Sequence, residues 1–370
     1  MTNSPSGNKN NARGLYIHVP FCAHKCLFCS FVVTIGQQHR ADEYVQTLMK
    51  EAQTHKGAVI NTVYLGGGTP SLLSCEQLNV LMGFLKTNFK IQPDAEITIE
   101  ANPETIDKTK AKCLKDLQFT RVSLGAQSFN GRYLKFLGRG HDGNKARDAY
   151  GLLRKEGFVN INLDLMYAFP SQTKEEIEED VRTVAGFGSE HVSLYTLTVE
   201  PNSRFYAKQM KLDDEDKIAG EYVLVTQILS EYGFEQYEVS NFAKPGFASQ
   251  HNINYWQGGS YIGLGVGAHG YLNGQRYWNT GKLQDYFERI AQEGKAVQGH
   301  EDLSEETKVM EKVLFGLRMN QGVAWDLLPP AKRNDVEKFI QDGFFICDNG
   351  VLKATQAGRL VLDAISSRLI

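Results

Sequence analysis

GLYIHVPFCAHKCLFC, residues 14–29, joins a short apolar run to a loop that carries Cys22, Cys26 and Cys29. Residues 14–19 read as a buried strand, and the loop opens where that strand ends. Half of the chain's six cysteines crowd into this loop, while Cys75, Cys113 and Cys347 are scattered singly. Isolated cysteines in a chain without a secretory signal read as small buried hydrophobes. Three thiolates this close would repel one another unless a metal held them.

The same strand-then-loop unit recurs outward from that point. Further strand-like runs cover 59–65, 95–101, 121–126, 158–167 and 191–197. Helical patterns at 42–55, 75–86, 107–117, 130–137, 144–156, 174–187 and 213–232 separate or follow them. Strands alternating with helices predict an α/β fold with a parallel sheet and crossover helices. Cys22, Gly67, Glu100, Gln127 and Asp164 fall just after strands, on the face where parallel α/β barrels bind ligands. Six units are too few to close a full ring, so the expectation is a partial (β/α)6 TIM-type barrel, open on one side.

At 370 residues the chain is long enough for more than one unit. Four segments are expected: a polar, disordered tail over 1–13, the barrel core over 14–240, a glycine- and aromatic-rich segment over 241–300, and a helical module over 301–370. The glycines of the third segment predict a non-helical stretch with tight turns, lying over the barrel mouth. The last segment reads helix, helix, hairpin at Asn349-Gly350, helix, which predicts a small winged-helix-like module. With 40 basic against 43 acidic side chains, the chain lacks the charge footprint of a nucleic-acid binder. No apolar run is long enough to span a bilayer, and the first residues carry no apolar signal core. A cytoplasmic protein is the expectation.

The spacing C-x3-C-x2-C suits an iron–sulfur cluster with one iron left open. That iron could chelate S-adenosylmethionine, and a reduced cluster could cleave its sulfonium to a 5′-deoxyadenosyl radical. Zinc on a Cys3His set completed by His24 or His18 is the competing reading, but no second cysteine pair supports it. The run GGGTP at 66–70 follows a strand yet lacks the Gly-Lys-Ser/Thr ending of a phosphate loop. Its bare glycines allow close backbone approach to a ligand.

Together these features resemble the radical S-adenosylmethionine superfamily, and within it the HemW heme chaperones, relatives of oxygen-independent coproporphyrinogen III oxidase (HemN). The resemblance runs from Leu15 to the C-terminus. It is carried by YIHVPFC at 16–22, the cysteine loop, GGGTP, IEANP at 99–103 and SLGAQSF at 123–129, followed by LGRGH at 137–141, DLMY at 164–167 and HNINYW at 251–256. It implies a [4Fe–4S] cluster on Cys22, Cys26 and Cys29. Tyr16, Phe28, Gly67, Gly68 and Thr69 would line an S-adenosylmethionine site, with polar contacts from Glu100, Gln127, Arg139 and Asp164. Carboxylate acceptors suit ribose hydroxyls, and a guanidinium suits a methionine carboxylate.

Heme is the third ligand the resemblance implies, and heme-acceptor proteins of the membrane respiratory chain are the implied partners. Contact with the membrane would be transient, and self-association into a homodimer is left open. His251, beside Tyr255 and Trp256, is the candidate ligand for heme iron; a structural histidine tying a loop is its alternative, and His269 is the second candidate. A radical enzyme acting on a porphyrinogen is the other functional reading. Against it, Phe31 stands where the oxidases carry a further cysteine, and a short polar tail stands in place of their N-terminal extension. The chain also departs from the chaperone pattern at Gly270, where serine is usual, and at Ala168-Phe169, where Gly-Leu is usual.

Overall fold

The structure, a computed structural model, describes residues 13–369. The expected tail therefore lies outside the described residues, except that Arg13 already belongs to the first strand, β1 (Arg13–Val19). Along β1, Leu15, Ile17 and Val19 are fully buried on one side, while Gly14, Tyr16 and His18 point to the other. This alternation, a period of two, gives the sheet an apolar outer face for helices and a polar inner one. The next strands repeat it: β2 (Val59–Gly67), β3 (Lys90–Ala101), β4 (Arg121–Gln127), β5 (Ile161–Tyr167) and β6 (His191–Thr196). Val63, Leu65, Ile97, Ile99, Val122 and Leu124 face the helices.

β1 to β6 lie side by side in chain order and all are parallel. This is the expected (β/α)6 arrangement. On the far side of β6 a short antiparallel pair, β7 (Glu235–Glu238) and β8 (Asn241–Ala243), ends the sheet.

The segment 241–300 departs from expectation. Most of it extends the sheet instead of lying over the ligand-bearing mouth, which only the turn at Gly267 borders, through Val32, and it is not free of helix. Strand β9 (Tyr261–Leu264) pairs parallel with β1, and β10 (His269–Leu272), β11 (Gln275–Asn279) and β12 (Val297–Asp302) extend the sheet antiparallel from there. Close strand approach explains one glycine: a Cβ on Gly263 would lie 1.7 Å from the His269 carbonyl oxygen. Helices Gln250–Trp256 and Leu283–Glu293 flank these strands. The first is seated at the N-terminal end of the barrel, opposite the cysteine loop. Glu96 of β3 accepts from Ser249 Oγ (3.3 Å) and from the backbone N–H groups of Gln250 (3.2 Å) and His251 (3.1 Å) at its start.

The C-terminal module is winged-helix-like, as expected. Helices Glu305–Arg318 and Pro330–Gln341 pack around Val313, Leu317, Val336, Phe345 and Leu352, a core of their own. The hairpin β14 (Phe345–Asp348) to β15 (Val351–Ala354) turns at Asn349 (φ 49) and Gly350 (φ 75), and the short strand β13 (Val323–Ala324) completes its sheet.

Ala168, one of the departures noted above, follows β5 with φ 61 and is fully buried. A left-handed backbone strains any residue with a Cβ, which gives the usual glycine there a physical reason. Ala168→Gly is expected to stabilise the protein by up to about 1 kcal/mol once glycine's larger unfolded-state entropy is deducted. A fall in denaturation midpoint would contradict this.

Candidate functional site

The cysteine loop is pinned from several sides. Leu27 N–H donates to Leu137 O (2.9 Å), Phe205 N–H to Leu27 O (3.0 Å), and Gln38 Nε2 to Cys22 O (2.7 Å). Phe28 packs on the aromatic cluster of Tyr133, Phe169 and Phe205. These anchors fix the backbone whatever the sulfurs hold. Burial pushes the Cys22 thiol up to about 11, against a hydrogen bond from Thr69 and with added repulsion from Cys29 and Cys26. Burial raises Cys29 as well. Thiols so disposed keep their protons unless a metal displaces them.

A chain of hydrogen bonds runs from one cysteine round to another. Thr69 Oγ1 lies 3.4 Å from Cys22 Sγ and accepts from Asn102 Nδ2 at 3.1 Å. Asn102 Oδ1 accepts from Arg139 Nη2 at 2.8 Å, and Arg139 Nη1 donates to Cys26 Sγ at 3.4 Å. Arg139 Nη2 also donates to Gly125 O (2.8 Å), while its buried Nε–H has no acceptor. Four expected residues, Cys22, Thr69, Arg139 and Cys26, are thus linked through Asn102, which the sequence places within IEANP without a role of its own. An unfilled, buried guanidinium N–H beside a thiol loop fits an anionic ligand adjoining a cluster. No three His, Cys, Asp or Glu side chains among the described residues converge on a single metal ion.

The glycine run closes the other side. Gly67 has φ 109, and a Cβ there would strike the His18 ring at 2.4 Å, so only glycine fits. Its N–H donates to Glu100 Oε2 (3.0 Å), and Tyr64 OH donates to Glu100 Oε1 (2.8 Å). Burial pushes Glu100 up to about 7 in spite of the Tyr64 bond, with the nearby Asp164 charge adding to the rise. Asp164 is raised by burial too, although Asn162 Nδ2 donates to it at 2.7 Å. Gln127 holds φ 65, an uncommon conformation for a residue with a side chain. Such strain concentrates at functional sites. Tyr16, its phenol 3.0 Å from His18 Nδ1, stacks on Tyr64 at 6.3 Å. Glu100 and Gln127 therefore share the C-terminal end of the barrel with the cysteine loop, as the strand spacing predicted, while Asp164 faces the lumen from the middle of β5, bonded to Asn162 and Ser123.

His251 does not. It is 1% exposed, on the seven-residue helix at the opposite end of the barrel. Nδ1 lies 2.8 Å from Thr62 Oγ1, Nε2 lies 2.8 Å from Tyr255 OH, and the ring stacks on Tyr64. Burial lowers its pKa to about 3. Both ring nitrogens are engaged, so the imidazole has no free lone pair for iron; in this arrangement it ties its helix to β2. The expectation of a heme-ligating His251 is corrected on that ground. His269 is exposed at the start of β10 and stacks on Trp278 at 6.2 Å.

An apolar-backed parallel sheet, a three-cysteine loop and a carboxylate-bearing rim define a radical S-adenosylmethionine protein. Residues 16–184 match the family model of the Radical SAM superfamily. The chain belongs, more narrowly, to the HemW heme chaperone family. It is 39% identical over 312 residues to the heme chaperone HemW of Lactococcus lactis, covering 83% of this chain and 82% of that one. It is 36% identical over 368 residues to HemW of Mycobacterium tuberculosis, covering 96% and 94%. Among solved structures, the coproporphyrinogen III oxidase HemN of Escherichia coli, a radical SAM enzyme, superimposes with a TM-score of 0.84 over 98% of this chain and 91% of that one. At 24% identity that likeness is one of fold. Among the described residues no helix is long and apolar enough to cross a membrane.

Proposed function

We propose that this chain binds heme and passes it to acceptor proteins, those of the respiratory chain foremost, through transient contact at the membrane. A [4Fe–4S] cluster on Cys22, Cys26 and Cys29 and S-adenosylmethionine beside it support that role. The observation that carries the reading is the match to heme chaperones along nearly the whole chain, beside a hydrogen-bond chain that runs from Cys22 to Cys26 in this one. Tyr16, Phe28, Gly67, Gly68 and Thr69 line the S-adenosylmethionine site. Arg139 offers its unfilled Nε–H to the methionine carboxylate, and Glu100, Gln127 and Asp164 take the remaining polar groups. When bound and reduced, the cluster supplies an electron to the sulfonium.

The porphyrinogen-oxidising alternative is not favoured. Phe31, at the position of the oxidase cysteine, is 65% exposed beside the loop and offers no sulfur. Anaerobic purification with iron, sulfide and heme quantified per chain is the direct test. Stoichiometric heme with no protoporphyrinogen formed from coproporphyrinogen is the expected result. Turnover to protoporphyrinogen in the presence of S-adenosylmethionine would overturn it.

The raised pKa of Glu100 gives a pH signature. Above about 7 its carboxylate accepts from ligand hydroxyls; below, a proton occupies one oxygen. S-adenosylmethionine affinity is expected to rise with pH through that value, and Glu100→Gln to flatten the profile at the weaker level. A wild-type affinity independent of pH between 6 and 8, roughly one unit either side of that value, would remove Glu100 from the site.

A further inference from the structure

At the end of β1 remote from the cysteine loop, a cavity of about 790 Å³ lies between the sheet extension and helix Glu305–Arg318 of the C-terminal module. That size falls within the range of roughly 300–1,000 Å³ typical of small-molecule and cofactor sites. Tyr255, Trp256, Tyr261, Tyr271 and Phe315 supply flat apolar wall. Trp256 meets Phe315 edge to face at 6.0 Å, and Tyr255 meets Tyr261 likewise at 4.6 Å. The indole Nε1–H of Trp256 is buried with no acceptor, a donor left over by the protein itself.

Charge is distributed to match. Arg13, Arg276, Lys308 and Lys312 line the cavity against the carboxylates of Glu305 and Glu311. Arg276 pairs with Glu311, and Lys308 with Glu305 at 2.7 Å. Arg13 and Lys312 enter no ion pair among the described residues. The cations left over suit a ligand with two negative groups.

We infer that this cavity seats the porphyrin, holding the macrocycle between aromatic side chains and its two carboxylates on the surplus cations. The inference rests on the reading that heme is the ligand, and it locates heme away from the cluster. Among the described residues no histidine, cysteine or methionine lines the cavity, and burial raises the phenols of Tyr255 and Tyr261, which keep their protons and make poor iron ligands, so recognition falls on the ring and the propionates. The iron keeps axial positions that an acceptor protein can fill, which suits a carrier. His251 enters only indirectly, by fixing the Tyr255 phenol from behind.

The test titrates the cluster-loaded full chain, under anaerobic conditions, with heme, iron-free protoporphyrin IX and protoporphyrin IX dimethyl ester. Heme and protoporphyrin IX are expected to bind once per chain with similar affinity, and the ester more weakly. The double variant Lys308→Glu/Lys312→Glu, one turn apart on helix Glu305–Arg318, is expected to weaken both acids by at least about tenfold and to leave the ester unaffected. Trp256→Phe, which keeps the ring bulk, is expected to remove most of the tryptophan quenching seen on binding. If heme binds but protoporphyrin IX does not, or if the charge-reversed variant binds heme as the wild type does, the cavity is not the seat. If the wild type binds no heme at all, the heme-carrier reading itself fails.

Discussion

Cys26→Ala is expected to strip the chain of its iron–sulfur cluster, leaving iron and sulfide at background after anaerobic reconstitution. The loop backbone holds without the metal, through the Leu27, Phe205 and Gln38 hydrogen bonds, so loss of the cluster will not be a consequence of unfolding. Beyond Cys22 and Cys29 the loop offers no further thiolate to replace it. The side chain closest in the hydrogen-bond network is the Arg139 guanidinium, which donates and cannot ligate. The same substitution leaves Arg139 Nη1 without its sulfur partner, so S-adenosylmethionine affinity is expected to fall along with the cluster. Cys75→Ala, Cys113→Ala and Cys347→Ala serve as controls and are expected to retain full iron, because all three lie outside the loop; Cys75 and Cys113 neighbour each other, and Cys347 is exposed. Full iron and sulfide in Cys26→Ala would refute the three-ligand assignment.

The parallel core and its ligand-bearing end were readable because both follow from local pattern. Alternation along β1 to β6 separates helix-facing from lumen-facing residues, and a residue just past a strand end must lie at the same end of the barrel as its counterparts. In space Cys22 follows β1, and Gly67, Glu100 and Gln127 hold the last or next-to-last positions of their strands, close to that condition; Asp164 does not meet it, because it lies midway along β5. What could not be read depends on pairing between distant parts of the chain. β9 has four residues, two of them flanking Gly263, and its partner β1 lies more than two hundred positions earlier. Nothing local announces that the segment adds to an edge rather than covers a mouth. His251 failed for the same reason. The motif shows an imidazole near two aromatic rings, but Thr62, which engages its second nitrogen, belongs to a strand read for other purposes. Asn102 was in plain view, yet its role exists only once Thr69, past the end of β2, and Arg139, past the end of helix Gly131–Leu137, converge on it.

Glu51 is the residue whose removal is expected to cost the most stability, and the reading of a helical pattern over 42–55, observed as helix Ala41–Ala52, gave it no distinction. It is 5% exposed at the end of that helix and faces the added strands. Oε2 accepts from Gly265 N–H at 2.8 Å and from Tyr286 OH at 2.7 Å, while Oε1 accepts from Asn279 Nδ2 at 2.6 Å. One carboxyl group thus joins the first helix, the end of β9, β11 and helix Leu283–Glu293. Glu51→Ala leaves the Gly265 N–H and the Tyr286 OH without this acceptor, and Asn279 Nδ2 with only Gly265 O at 2.8 Å, at about 1–3 kcal/mol for each lost bond before relaxation. A loss of at least about 3 kcal/mol is expected, a large share of the 5–15 kcal/mol typical of a folded domain. Glu51→Gln keeps one acceptor oxygen and should fall between. The pH dependence separates the carboxyl from its shape. Burial raises the Glu51 pKa, against the bonds from Tyr286, Gly265 and Asn279. Its protonated form is therefore favoured in the folded state, and wild-type stability declines as pH rises from the ordinary carboxyl value through the raised one. Glu51→Gln carries no such titration, so the gap between the two proteins is expected to narrow as pH rises across that window. Urea denaturation at several pH values measures both effects. A Glu51→Ala variant within about 1 kcal/mol of wild type would mean that the added strands are held by their apolar contacts with the core and that the carboxyl group is incidental.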